Sequence, residues 1–596
     1  MSVRARSRTD FFIRGSEVWH SKIAMAVKSI MWVVLAAMLA FWATVYAWLW
    51  IFFGQAERAV FWYYRLASVE SFAGLGWASV LSQRISLPGV ETVVLLPSAV
   101  VEVTRDFYTR TFGITWGGAL IAAVLVVGFI SRWLVHFYTA FGRARGESEF
   151  LRGTELVNAE ALTALVREGT NGAGPYTIAG VPIPTGIEMR NICAIGAMGT
   201  GKSQLMLDLA DQAFARGRKS IIWDKTGEFT KLYYRPGKDV ILNPFDQRYP
   251  GWNIFSEIRM VYEFEQISHS ICPNPDNATG NAIYFASGAR AVISSVLRKL
   301  WNEGRRTTAE AVEVLLTLSP AEISEYLKGT DASMFVSVDA AEQALGVMST
   351  LVSAIQFLKH VPDGQFSIRE WVQRDDDTRL FITSHETVHD VLRPLVAAYL
   401  DIAIRATMGR EETREDRLWV WLDELSSLGN IPVLKISLTE ARRYGVVHVI
   451  GLHNMAQLRA IYGGDIAQTQ RSNLQTYVVC RVSDEETQES MSRLLGVQEV
   501  DEQAEGLSFG TAQSKDGSSV QTSRRELRIV LPSEIKMLPD CEGYLQLAGA
   551  YPVARVRWNY KPRSHKESAY LVRDDLYLSA AERPAPSVEC AHIEGL

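Results

Sequence analysis

The residues best suited to chemistry are Gly196 to Ser203, which read Gly-Ala-Met-Gly-Thr-Gly-Lys-Ser. Glycines let such a loop curl so that its backbone amides point at phosphate oxygens. Lys202 can reach the β- and γ-phosphates of a nucleotide, and the Ser203 hydroxyl can ligate Mg²⁺. The run predicts a P-loop whose nucleotide-binding residues are Gly196, Ala197, Met198, Gly199, Thr200, Gly201, Lys202 and Ser203, with ATP and Mg²⁺ as its ligands.

A second acidic motif, Asp423-Glu424, directly follows the apolar run 418–422. An acid at the end of a buried strand can hold the coordination shell of Mg²⁺, and its neighbour can polarise an attacking water. With a P-loop upstream, this pattern predicts a Walker B motif in which Asp423 joins Ser203 at the metal and Glu424 is catalytic. The alternative is a strand that simply ends in solvated acids.

The elements needed to position these motifs can be read from the apolar patterning. Residues 191–195 read as a strand that enters the P-loop, 203–216 as a helix and 220–224 as the next strand, which is the order a nucleotide-binding unit requires. Strand character returns at 380–383, 418–422, 446–451 and 476–482. The segment 255–372 has helical periodicity, with a capping box at Thr307 to Glu310. A helical insertion therefore accounts for the long separation of Lys202 from Asp423.

Two uncharged runs near the N-terminus are long enough to cross a bilayer. They cover 26 residues from Ser29 to Gly54 and 21 residues from Thr111 to Ser131. Residues 1–28 carry a net charge of +4, the loop between the runs is balanced, and arginines follow the second run. The positive-inside rule predicts a multi-pass membrane protein with both termini in the cytoplasm.

Charge and cysteine content limit the classes of partner. The chain has 596 residues and a formal net charge of −5, so residues 132–596 carry −9. A protein that clamped DNA over its outer surface would be basic, and any nucleic acid here must meet a local patch or an inner channel. The five cysteines form no CxxC pair, which argues against a zinc site and fits a reducing cytoplasm.

Several short motifs occur in an order that resembles one family. They are Asp224-Lys-Thr-Gly-Glu228-Phe229, Leu242-Asn-Pro-Phe-Asp246, Phe285-Ala-Ser-Gly-Ala-Arg290, Asp423-Glu424-Leu425, Glu440-Ala-Arg-Arg-Tyr-Gly445 and Gly451-Leu-His-Asn-Met-Ala-Gln-Leu458. Each motif alone is weak, but the ordered set, together with the two apolar runs, resembles the TraD type of conjugative coupling proteins of type IV secretion systems.

The resemblance implies an α/β fold: a RecA-like P-loop ATPase domain with an inserted all-α domain, preceded by two transmembrane helices. It implies a membrane-anchored homohexamer that hydrolyses ATP between subunits. The implied partners are single-stranded DNA, the relaxase and other relaxosome proteins, and the proteins of the secretion channel.

Carried over by motif, Arg442 aligns with the arginine finger of the family, although the adjacent Arg443 is a competing choice. His453 stands where the family usually has Gln as the γ-phosphate sensor. A neutral His can donate one hydrogen bond, so sensing can survive with some dependence on pH.

Two alternative functions stay open. The chain could be a substrate receptor and gating ATPase that recruits relaxase without pumping DNA. It could also be an FtsK-like DNA translocase, although the four spans, long linker and winged-helix module expected of that class are not visible in the sequence.

The expected organisation follows the chain. The predicted segments are a basic cytoplasmic N-terminus (1–28), a first span (29–54), a small periplasmic domain (55–110), a second span (111–131), a juxtamembrane segment that leads into the nucleotide-binding domain (132–190), the two parts of that domain (191–254 and 373–562), the all-α domain (255–372) and a C-terminal tail (563–596). The polar, Gly- and Ser-rich segment 503–523 is predicted to be a loop.

Overall fold

The structure is a computed structural model that describes residues 8–73, 83–85, 93–95, 97–146, 149–276, 278, 280–508 and 517–576. The chain divides into two units. One comprises Met1–Glu149 with Glu502–Ser523, and the other comprises Phe150–Asp501 with Arg524–Leu596.

The first unit is built on two long helices. Its elements in chain order are α1 (Arg8–Phe52), α2 (Gln55–Ala73), β1 (Gln83–Ile85), β2 (Val93–Leu95) and α3 (Pro97–Gly146). Strands β1 and β2 pair in antiparallel fashion, and α3 packs against both α1 and α2. A small aromatic and aliphatic cluster that includes Leu49, Phe61, Tyr108 and Phe112 holds the three helices together.

Two stretches of these helices are long and apolar enough to cross a membrane, Ile30–Phe52 and Ala99–His136. Large apolar side chains such as those of Trp32, Leu39 and Phe129 are mostly exposed along them. A helix in the core of a soluble protein would bury such side chains, so this pattern favours a lipid environment. The second apolar run seen in the sequence lies within α3, and the first lies within α1 except for its last two residues, as the predicted fold class requires.

The second unit contains the other helices and strands of the residues that the structure describes. Its strands are β3 (Glu149–Gly153), β4 (Leu156–Asn158), β5 (Ala173–Ile178), β6 (Val181–Pro184), β7 (Ile192–Ile195), β8 (Lys219–Asp224), β9 (Val240–Leu242), β10 (Arg379–Thr383), β11 (Thr413–Leu422), β12 (Tyr444–Leu452), β13 (Thr476–Val479), β14 (Val497–Ser508), β15 (Gly517–Arg528), β16 (Glu542–Gln546) and β17 (Val553–Arg557), the outer parts of β14 and β15 being grouped with the first unit.

Its helices are α4 (Ala159–Glu168), α5 (Lys202–Ala215), α6 (Glu228–Tyr233), α7 (Glu263–Ile271), α8 (Asn281–Glu303), α9 (Thr308–Thr317), α10 (Pro320–Tyr326), α11 (Ala341–Ile355), α12 (Ile368–Gln373), α13 (His389–Thr407), α14 (Leu434–Glu440), α15 (Met455–Tyr462), α16 (Gly464–Asn473), α17 (Glu485–Leu495) and α18 (Pro532–Lys536).

A ten-stranded sheet organises this unit, in the order β4-β17-β16-β13-β7-β12-β11-β8-β10-β9. From β13 to β9 the neighbouring strands are parallel, whereas β16 runs antiparallel to β13 and β17. Every residue of β7, β8 and β10 is buried. Strands that are buried along their whole length are typical of a parallel sheet that is covered on both faces.

The two faces of the sheet contribute to two hydrophobic cores. Along β7, Cys193 and Ile195 join the core that also contains α8 and α13, and Ile192 and Ala194 join the core that contains α5. Helices α7 to α12 are inserted between β9 and β10. The capping box at Thr307 and Glu310 starts α9, as the sequence predicted. The α/β fold with an inserted helical region is therefore confirmed.

The prediction of a loop at 503–523 was wrong for much of that segment. Residues up to Ser508 belong to β14 and residues from Gly517 belong to β15, and these strands form a three-stranded sheet with β3. Polar strands of this kind lack the apolar alternation that identifies a strand from sequence, because their backbone pairing does not require a buried face. Residues 509–516 lie outside the described residues.

Candidate nucleotide-binding site

The P-loop follows β7 and leads into the first turn of α5, as the motif predicted. Gly201 adopts a φ of +93° at the N-cap of α5. A Cβ at Gly201 would lie 2.8 Å from Cys541 Sγ, and one at Gly196 would lie 2.7 Å from Cys480 Cβ. Side chains are therefore excluded at both ends of the loop, and the backbone stays open to a phosphate at the N-terminus of a 14-residue helix.

Neighbouring segments hold the loop by hydrogen bonds to its backbone. The Gly196 amide donates to Leu452 O at 3.0 Å, and the Cys541 amide donates to Thr200 O at 3.0 Å. The Trp558 indole donates to Gly201 O at 3.0 Å. These contacts come from residues far away in the sequence and fix the loop in place. Met198, in contrast, is exposed at the tip of the loop.

Lys202 is buried beneath the loop. Its Nζ donates to Gly196 O at 2.5 Å and to Ala197 O at 2.9 Å. Burial lowers the pKa of Lys202 from its ordinary value, and the nearby carboxylates of Asp423 and Glu424 oppose that shift. The structure thus places a cation under the phosphate-binding backbone.

Ser203 and Asp423 meet where the sequence predicted a magnesium site. The Ser203 hydroxyl donates to the Asp423 carboxylate at 3.3 Å and 3.4 Å. Burial and the nearby carboxylate of Asp224 raise the pKa of Asp423 to about 6. A hydroxyl and a carboxylate at this spacing supply the oxygen ligands that Mg²⁺ prefers, and a bound cation would relieve the repulsion between the two aspartates. The residues therefore fit the metal.

Glu424 lies beside Asp423, with its carboxylate between two basic side chains. Its Oε2 is 3.3 Å from Lys225 Nζ and its Oε1 is 3.8 Å from His453 Nε2. All three side chains are about a quarter exposed. The backbone carbonyl of Glu424 accepts from Ser427 Oγ at 2.7 Å. The carboxylate is therefore oriented, and it remains within reach of solvent.

His453 connects Lys202 to Glu424. Its Nδ1 is 3.3 Å from Lys202 Nζ. Because an ammonium group only donates, Nδ1 accepts and the ring proton sits on Nε2, facing Glu424. Burial and the charge of Lys202 lower the pKa of His453, so the ring is neutral near pH 7. The ring can therefore offer one N–H donor in the site, as the interpretation of His453 as a sensor requires.

Arg442 is not brought to this site. It lies in the short turn Ala441–Arg443, which precedes β12, whereas His453 follows β12. The nine residues of β12 separate the two positions by about 30 Å at the usual rise per residue. Arg442 and Arg443 are both exposed, and neither side chain makes a hydrogen bond or ion pair with any residue that the structure describes.

Sequence reasoning missed several residues of the site. Lys225 follows β8 and pairs with Glu424, which follows β11, because β8 and β11 are neighbours in the sheet. Cys480, Cys541 and Trp558 pack on the P-loop from far along the chain. No local motif marks these contacts, since they depend on the order of strands in the sheet.

Comparison with known proteins gives a consistent result. A family model for the type IV secretion-system coupling protein DNA-binding domain matches residues 175–559. The coupling protein TraD of Escherichia coli strain K12 is 28% identical over 474 residues, which cover 77% of this chain and 65% of TraD. The chain therefore matches just under two thirds of the length of that curated relative.

Solved structures of the bacterial conjugative coupling protein TrwB are also similar. The unbound monoclinic form of TrwBΔN70 has 33% identity and a TM-score of 0.65, with 72% of this chain and 97% of that chain covered. The complex of TrwB with ADP and Mg²⁺ has 32% identity and the same TM-score, with 72% and 98% covered.

The buried charge of Asp423 predicts an unusual effect on stability. The pKa of Asp423 is about 6 in the folded chain and near 3.8 when unfolded. Its ionised form therefore destabilises the fold at pH 7, by up to about 3 kcal/mol. Without nucleotide or Mg²⁺, we expect Asp423→Asn to raise the thermal unfolding midpoint at pH 7. The gain should shrink as the pH falls from 6 to 4, and a lower midpoint at pH 7 would contradict this account.

The hydrogen bonds of His453 predict that Gln can replace it. A Gln side chain has an oxygen to accept from Lys202 and an N–H to face Glu424, whereas Ala has neither. We expect His453→Gln to keep ATP turnover within about threefold of wild type and His453→Ala to lose about tenfold or more, the usual cost of one hydrogen bond to a charged group. Equal losses in both variants, measured by steady-state phosphate release at pH 7.5, would show that the ring contributes something other than these bonds.

Proposed function

Because this chain belongs to the family of type IV secretion-system coupling proteins, we propose that it is the inner-membrane coupling ATPase of a conjugation apparatus. ATP hydrolysis between the subunits of a homohexamer would drive or gate the passage of single-stranded DNA, with its bound relaxase, from the relaxosome to the secretion channel. The two apolar helices would anchor the chain in the membrane with both termini in the cytoplasm.

The observation that carries this proposal is the separation of Arg442 from the P-loop of its own chain. A catalytic arginine about 30 Å from the site of the same chain can act only on a neighbouring subunit. Its side chain is exposed and unpaired among the described residues, so it is available for such a contact. An oligomer in which the carboxyl ends of the strands of one subunit face the amino ends of the strands of the next subunit would complete each site.

Within each site, the residues of this chain would have distinct roles in binding and hydrolysis. The P-loop backbone and Lys202 would bind the phosphates of ATP, and Ser203 and Asp423 would hold Mg²⁺, which neutralises charge on the phosphates when it is bound. Glu424, oriented by Lys225 and His453, would accept the proton of the attacking water. Arg442 of one subunit would stabilise the charge that develops on the neighbour's γ-phosphate.

The net charge supports a restricted path for DNA. Residues 132–596 carry −9, which disfavours wrapping of DNA on the outer surface and is compatible with passage through an inner channel. The same charge also suits a receptor that docks basic proteins. A gating receptor is therefore the second candidate function. It differs from a DNA-translocating ATPase in how ATP turnover responds to DNA.

The test is ATP turnover by the full-length chain in detergent micelles, measured across protein concentration, with and without single-stranded DNA. We expect turnover per subunit to rise with concentration, because sites shared between subunits form only on assembly. Single-stranded DNA should raise it further. ATP turnover that rises with protein concentration but does not change when single-stranded DNA is added would favour the gating receptor.

Three variants sharpen this test. Lys202→Ala and Arg442→Ala should each lower turnover by about a hundredfold or more, as expected for a P-loop lysine and an arginine finger. Arg443→Ala is the matched control, since Arg443 lies on the same exposed turn, and it should stay close to wild type. If Arg443→Ala is the inactive variant, the finger is Arg443. If neither arginine matters, an arginine finger on this turn is excluded.

A further inference from the structure

The first part of the predicted C-terminal tail, up to residue 576, is bound to the nucleotide-binding unit. Residues 561–576, here called the strap, cross three parts of that unit: helix α5, helix α6 with the turn 225–227 that precedes it, and the loop that follows β9. The first two of these carry residues of the candidate site. The strap is therefore in a position to affect catalysis from outside the site.

At its first end, the strap is fixed to the P-loop helix by Arg563. The guanidinium donates to Asp208 and Asp211 and, at 2.9 Å, to the side-chain oxygen of Gln204. The Arg563 side chain is only 13% exposed, so this arrangement is shielded far more than an ordinary surface ion pair. Lys561 adds a second contact to Asp208 at 3.1 Å. These contacts lie on the turns of α5 that directly follow Lys202 and Ser203.

In its middle, the strap packs on helix α6 and on the turn 225–227 that precedes it. The backbone amides of Lys566 and Glu567 donate to Lys231 O. Gly227 has a φ of +75°, and a Cβ placed there would lie 2.4 Å from Ala569 Cβ. The close contact of Ala569 with Gly227 leaves no room between the strap and this turn.

The same turn carries Lys225, which holds Glu424. Lys225 lies two residues before Gly227, and its Nζ is 3.3 Å from Glu424 Oε2. A continuous set of contacts thus leads from Ala569 through the turn 225–227 to the carboxylate of Glu424.

At its far end, the strap is fixed to the loop after β9. The Gln247 amide donates to Leu571 O at 2.7 Å, and the Arg573 amide donates to Phe245 O at 3.1 Å. Arg573 Nη1 donates to Pro244 O at 2.7 Å. The strap is therefore anchored on both sides of the contact between Ala569 and Gly227. This anchoring allows the strap to fix the position of the turn 225–227.

We propose that the strap is a positioning element for hydrolysis: it fixes the turn 225–227 relative to the P-loop helix and so sets the orientation of Glu424. This inference rests on the proposed ATPase function. Nucleotide binding should depend less on the strap than hydrolysis does, because the P-loop has its own anchors in Leu452, Cys541 and Trp558.

The first test compares two truncations of the full-length chain in detergent. A chain that ends at Leu576 keeps the strap, and a chain that ends at Tyr560 lacks it. We expect the longer truncated chain to keep the wild-type kcat. The shorter chain should lose at least about tenfold in kcat, with less than about threefold change in KM. Mispositioning of a catalytic group acts mainly on the chemical step, which kcat reports. Equal kcat in both chains would overturn the proposal.

Point variants distinguish a positioning effect of the strap from misfolding of the truncated chain. Arg563→Ala should lower kcat by about fivefold or more, and Arg563→Lys should recover part of it, because a lysine can still reach one carboxylate. Arg557→Ala is the matched control: Arg557 precedes the strap and is largely exposed beside Glu542. A fall in kcat for Arg563→Ala that Arg563→Lys does not relieve, or an equal fall for Arg557→Ala, would contradict the proposed role.

A double-mutant cycle tests whether the effect passes through Lys225. Ala569→Val should crowd Gly227 and lower kcat, and Lys225→Met should lower kcat by releasing Glu424. If both act on the orientation of Glu424, the double variant should be little worse than the poorer single variant. Multiplicative losses would show that the strap acts by another route. Absence of Lys202-dependent turnover in the wild-type chain would instead reject the ATPase function itself.

Discussion

The parallel arrangement of seven neighbouring strands is the constraint on which the rest of the molecule depends. In such a sheet all carboxyl ends lie at one edge, and ligands bind beyond that edge. Here the ends of β7, β8, β11 and β12 lead into the P-loop, Lys225, the Asp423–Glu424 pair and His453, respectively. The same geometry places Arg442, which precedes β12, at the opposite edge. One constraint therefore both assembles the phosphate site and keeps the arginine away from it.

The site combines buried and partly buried charges of opposite sign. Lys202 lies under the loop, the Asp423 carboxylate is held near Asp224 with a raised pKa, and Glu424 lies between Lys225 and His453. Each of these groups is costly to bury alone, and each has a partner that a Mg²⁺–nucleotide would complement. The arrangement is therefore best suited to a ligand that carries both a cation and phosphates.

The parts of this arrangement that are local in sequence could be predicted from it. The P-loop, the Walker B pair and the capping box at Thr307 each depend on residues a few positions apart, and the apolar runs identified the helices that can cross a membrane. The pairing of Lys225 with Glu424 could not be predicted, because it requires the adjacency of β8 and β11. The packing of the strap could not be predicted for a similar reason, because only the tertiary structure brings Arg563 and Asp208 together. The strands β14 and β15 were mistaken for a loop because polar residues conceal their pairing.

The central claim is that two subunits build each catalytic site, and mixing two inactive chains tests it most directly. A Lys202→Ala chain has an intact Arg442, and an Arg442→Ala chain has an intact P-loop. Co-assembled in detergent, they should recover ATP turnover, because an interface between the intact P-loop of one and the arginine of the other is complete. If mixed assemblies form and stay as inactive as either chain alone, Arg442 does not act across subunits and the account is wrong.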